Sequence, residues 1–164
     1  MRHRYTQLLA LGLALLVVPV GAAADTGFSA TLDNAQTAGT CPGGSPGTGS
    51  GFFVMNNAQT ELTFNISFAG LSGPVTVAHF HNALPGFNGG VVRQLTTTSP
   101  IVGIWKNTDA QPFSPAMVTE LLAGRLYINL HTQQCPGGEI RGQVLFDATQ
   151  TLTRSWGRIK TIYR

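Results

Sequence analysis

Charge is scarce in this chain: ten basic and seven acidic residues make up 10% of its 164 positions. So few ionisable groups, beside 20 glycines and nine prolines, suit a loop-rich β-protein better than a helical one. The acids Asp33, Glu61, Asp109, Glu120 and Glu139 show no paired spacing of the kind glycoside hydrolysis needs. No Ser or Cys sits in a GxSxG-like turn, so no nucleophile is indicated and no catalytic residue is assigned. Cysteine is limited to Cys41 and Cys135, too few and too far apart for a thiolate metal cluster. The glycines at Gly86, Gly89 and Gly90 lack a lysine and a following helix, so they read as a tight loop between strands, not a phosphate cradle. Long apolar runs are absent after residue 24; nothing there approaches the roughly 20 residues of a spanning helix.

What is present is organised in three parts. Residues 1–24 read as a secretory signal peptide: Arg2 and Arg4, an apolar run from Leu8 to Val20, then Ala22-Ala23-Ala24. The expectation is a secreted or periplasmic protein with no transmembrane segment after cleavage. Residues 25–148 read as one domain, and 149–164 as a basic tail. Between residues 25 and 153, four basic groups face seven acidic ones, a net −3, whereas the last eleven residues carry four basic groups and no acid. The basic pI therefore comes from the ends, and the domain is not a nucleic-acid binder by charge. The tail reads as a solvated terminus in preference to an anionic-surface anchor. In an oxidising compartment the two cysteines are expected to form one disulfide, stabilising the fold by at most about 4–5 kcal/mol in the chain-entropy model.

Period-two patterns recur through the domain. In ELTFNISF, Leu62, Phe64, Ile66 and Phe68 alternate with Thr63, Asn65 and Ser67, a half-buried strand. GFSATLD repeats the pattern, and further strands are expected at 51–55, 75–81, 91–96, 101–106, 126–131 and 139–146. One short helix is indicated: Ser114 caps, Pro115 takes the first position, Met117, Leu121 and Leu122 share a face, and Gly124 stops it. Eight short strands and one helix predict an all-β, antiparallel two-sheet sandwich with Greek-key-like connections. Asn65-Ile66-Ser67 is a glycosylation sequon.

The polar residues that could carry chemistry are histidines. His79 and His81 face the same way on one strand, about 6.5–7 Å apart. His131, on another, would complete three nitrogen ligands for zinc or copper. The last two strands predict a hairpin that sets His131 opposite Glu139 and Asn129 opposite Arg141. Glu139 would then orient His131 from behind. The HxH-plus-one pattern is locally similar to that of α-carbonic anhydrases and copper–zinc superoxide dismutases. The former is a much larger domain and the latter needs further ligands, so neither enzyme is supported. The plainer reading is that the histidines pack against carbonyls and a carboxylate as part of the scaffold.

Three segments together resemble the CHRD domain, the module repeated in chordin and found singly in bacterial secreted proteins. They are HFHNALPGFNGGVVRQL (residues 79–95), AGRLYINLHT (123–132) and PGGEIRGQV (136–144). FSATLD and LTFNISFAGL fall where that family has counterparts. The cysteine pair, the long Gly/Pro loop after Thr40 and the basic tail depart from its pattern. In chordin such domains belong to an extracellular antagonist of growth factors, an activity that does not transfer to an isolated domain. The leading expectation is a non-enzymatic binding module, its partner an unknown extracellular protein, ion or small ligand. A small metalloprotein with a Zn or Cu site, or a purely structural domain, are the alternatives.

Overall fold

A computed structural model describes residues 24–39 and 41–147. The expected signal peptide up to Ala23 and the basic tail lie outside the described residues. The strands are β1 (Thr26–Asp33), β2 (Thr48–Met55), β3 (Glu61–Ala69), β4 (Val75–Asn82), β5 (Gly90–Leu95), β6 (Ile101–Lys106), β7 (Leu126–Thr132), β8 (Ile140–Gln143) and β9 (Leu145–Phe146). Helix α1 (Pro115–Leu122) lies between β6 and β7. Ser114 caps it through its side chain, as its sequence indicates. Its buried face, however, is Val118 with Leu121; Leu122 is exposed.

All the strands belong to one antiparallel sheet, in the order β5-β4-β7-β8-β1-β2-β3-β6, with β9 also on β1. The expected two-sheet sandwich is therefore replaced by a single sheet that curls nearly into a barrel. Two halves are recognisable, β5-β4-β7-β8 and β1-β2-β3-β6, and they are joined along β8 and β9. The expected strand 139–146 is split at this joint. Val144 N bonds Leu126 O on β7, whereas Leu145 and Phe146 pair with Ser29 and Phe28 on β1. One segment thus changes partner midway and fastens the halves together.

The inward alternation of each strand fills the space between the halves. Phe80 of β4 meets Phe53, Phe64 and Trp105 at ring separations of 6.0, 5.6 and 5.2 Å. Phe28, Leu62, Ile66, Ile128, Leu130 and Ile140 complete the core around them. Burial of each such side chain is worth about 1.5–3 kcal/mol relative to exposure. The barrel does not close by a ladder between β5 and β6. Side chains bridge that seam instead: Arg93 reaches Asp109 and the Ile104 carbonyl, and Gln111 accepts from the Gln94 amide.

Sulfur atoms of Cys41 and Cys135 lie at disulfide distance, tying the Gly/Pro loop before β2 to the turn between β7 and β8. Among the described residues, no helix is long and apolar enough to cross a membrane.

Candidate metal centre

The alternation of β4 sends Ala78 and Phe80 into the core and leaves Val77, His79 and His81 on the outer face. On β7, Leu126, Ile128 and Leu130 point inward and Tyr127, Asn129 and His131 outward. The ladder sets Val77 opposite His131, His79 opposite Asn129 and His81 opposite Tyr127. His131 is therefore diagonal to His79, close enough for side-chain contact. The three imidazoles gather there, with ring centres 5.4, 5.4 and 6.1 Å apart. One ring nitrogen from each lies within 4.8 Å of the others.

An outer face would ordinarily be solvated, yet every residue of β7 is buried. Two loops cover it. The first, residues 83–89, is held by a set of polar side chains from β7 and β8. Arg141 donates to the carbonyls of Phe87 and Leu84, and Gln143 to those of Ala83 and Gly124. Tyr127 accepts from Gly89 N through its hydroxyl. The second cover is the turn at 136–138, against which Asn129 and His131 rest.

These loops fix the histidine tautomers. His81 Nδ1 lies 2.9 Å from Gly89 O, and His131 Nδ1 lies 2.9 Å from Pro136 O. A carbonyl only accepts, so each Nδ1 carries a proton, and in the neutral ring it is Nε2 that presents the lone pair. Both of those Nε2 atoms, with His79 Nδ1 and Asn129 Oδ1, are buried and have no hydrogen-bond partner among the described residues. Burial, with the neighbouring imidazoles, holds the His79 pKa below its ordinary value. Burial likewise lowers that of His81 against the raising effect of the Gly89 carbonyl, and His131 and Arg141 add to the lowering.

Orphaned buried lone pairs are costly unless something fills them. A transition metal would. Two nitrogens on one ion with bonds of about 2 Å stand at most about 4 Å apart, so the rings need to draw together by about 1 Å. A backbone carbonyl on the far nitrogen is also the usual partner of a metal-ligating histidine. The set fits zinc or copper, to which imidazole is suited.

Asn129 stands opposite Arg141, as the hairpin register predicts. Glu139 does not orient His131. Its carboxylate, at the end of the ladder, turns instead to Ser45 Oγ, to Ser72 N and Oγ, each at 2.6 Å, and to Thr132 Oγ1. The Pro136 carbonyl takes the part expected of Glu139, and a carbonyl carries no residue-type signal in a sequence. Gly89 has no room for a side chain, since a Cβ would stand 1.9 Å from Asn82 O. Gly86 turns the loop at φ +81°, and Gly90 opens β5. Tyr127 and Gln143 also serve the site, and their one sequence signal is that both fall on the polar phase of their strands.

An antiparallel β-domain with three imidazoles on one covered outer face is the class that fold and site define. More particularly, the chain belongs to the CHRD domain family, whose sequence model matches residues 28–144. No curated protein and no solved structure matches it.

Proposed function

We propose that this chain is an exported binding module whose ligand is one transition-metal ion, zinc or copper, held by His79, His81 and His131. One observation carries the reading: three imidazoles converge, His81 and His131 buried and His79 partly so, and in two of them Nδ1 is taken by a backbone carbonyl while the buried Nε2 is left without a partner among the described residues. A purely packed histidine would use both nitrogens in hydrogen bonds. Among the described residues no carboxylate or thiolate joins the cluster, so the donor set is all nitrogen. No catalytic step is needed for this role. Export, which rests on the signal-like N-terminus, would place the site where metal is acquired from outside the cell.

The test is elemental analysis of the mature chain after dialysis against trace zinc and copper. About one equivalent of metal is expected in the wild type, and a small fraction of that in His81→Ala. Less than about one-tenth equivalent in the wild type, unchanged by the substitution, would overturn the reading for a ready-made site.

A further inference from the structure

Arg141 is one of the largest fully buried side chains in the domain, at 1% exposure. It makes no ion pair among the described residues. Its guanidinium donates to two loop carbonyls and to Gln143 Oε1. The carboxylate nearest in register is Asp33, its cross-strand partner on β1, but that group accepts from Gln36 N and Nε2, both at 3.0 Å. Glu139, two residues away in sequence, is turned toward Ser45, Ser72 and Thr132. A guanidinium stays protonated even when buried, so the polar layer holds a full positive charge.

That charge is stacked toward the histidines. The Arg141 Cζ lies 3.6 Å from the centre of the Tyr127 ring, and Tyr127 stacks on His81 at 5.0 Å with only 12° between the planes. Strand β7 lies between β4 and β8, so Tyr127 stands between His81 on one neighbour and Arg141 on the other. The guanidinium is then within about 9 Å of the His81 ring, inside a screening length and behind protein that excludes solvent. The ligands themselves are neutral imidazoles and supply no negative charge.

Resting on the metal reading above, we infer that Arg141 selects the charge of the bound ion, favouring monovalent copper over the divalent ions Cu(II) and Zn(II). A fixed positive charge repels a divalent ion more than a monovalent one by one unit of charge. At a separation of about 12 Å, with an effective dielectric of about 20, that unit is worth about tenfold in relative affinity. Three neutral nitrogens also satisfy the low coordination number that Cu(I) accepts. Arg141 is a positioning residue for loop 83–89 as well, so affinity alone would not isolate its electrostatic role. The ratio of the two affinities does.

The experiment measures Cu(II) affinity by competition with a chelator of known strength. Cu(I) affinity is measured under ascorbate with a Cu(I)-selective chelator. Wild type, Arg141→Gln, Arg141→Lys and Gln143→Glu are compared. The last keeps the arginine and sets a carboxylate where Gln143 Oε1 now lies 3.0 Å from it, neutralising the charge; it also removes the Nε2 donor to the Ala83 and Gly124 carbonyls, a loss that loosens the loop for both ions alike and so cancels in the ratio of affinities. Expected is a shift toward Cu(II) of about tenfold in Arg141→Gln and in Gln143→Glu. Arg141→Lys should keep the wild-type ratio. If Arg141→Gln does not fold, Gln143→Glu decides. Both ions weakening by one common factor, or Arg141→Lys shifting the ratio as far as Arg141→Gln, overturns the inference and leaves the metal reading standing. A wild-type chain that binds neither ion overturns both.

Discussion

Glu139 is fully buried, and no cation pairs with it among the described residues. Burial alone would raise its pKa, but donors from Ser45, Ser72 and Thr132 outweigh it and hold the carboxyl below its ordinary value. The sign of the pH dependence follows. A carboxyl whose pKa is lower folded than unfolded stabilises the fold fully above its unfolded value of about 4.3 and loses that contribution as pH falls. Glu139→Gln keeps the shape and removes the charge, but its amide sets a donor against donors. The expected cost at pH 7 is about 1–3 kcal/mol, read from the urea midpoint. It should shrink as the wild type is acidified below about pH 4. A variant that loses stability by the same amount at pH 7 and pH 3 would show that packing, not charge, is at stake.

The element that matters most to the candidate site is the β7–β8 hairpin, because its turn supplies the carbonyl that fixes His131. Gly138 sits there at φ +119°, and a Cβ on it would come within 2.4 Å of Asn129 Oδ1. Gly138→Ala therefore meets backbone strain and a steric clash at one point. Its expected cost is about 1–3 kcal/mol, measured by thermal unfolding, with reduced metal uptake. Gly90→Ala is the control: a Cβ there meets nothing within 4 Å, and its stability should match the wild type. Equal effects of the two substitutions would remove the special role given to the hairpin turn. At this scale the sequence was informative in one respect and silent in another. Strict alternation put His79 and His81 on one face of β4 and His131 on the polar face of β7, and the Asn129–Arg141 register followed from the same counting; that the two faces coincide is set by the β4–β7 ladder. Alternation does not report which way a side chain turns where a ladder ends, and Glu139 sits at such an end. Nor does it show that a loop will fold back over an outer face, which is why β7 is buried on both sides.

For the whole molecule, strand count and composition were enough for an antiparallel all-β domain with one helix, but not for how its halves join. The joint depends on Val144, where the chain leaves β7 for β1, and both ladders have the same period of two. A one-residue exchange of partner is invisible to a periodicity of that kind. The Cys41–Cys135 link acts on the same scale. It spans 94 positions and fastens the loop before β2, in one half, to the β7–β8 turn in the other. Replacing both cysteines by serine releases that closure, and the expected loss is about 2–5 kcal/mol in the urea midpoint. Cys135 also precedes Pro136, whose carbonyl holds His131, so the loss should reach the metal site. Metal bound only by the folded chain raises its stability in proportion to the logarithm of metal concentration over Kd. In the double serine variant, added Cu or Zn should still raise Tm, but by less than in the wild type at equal concentration. An unchanged midpoint would deny the link its structural weight. A metal-induced rise in Tm equal to the wild type's would show that the turn holds His131 without it.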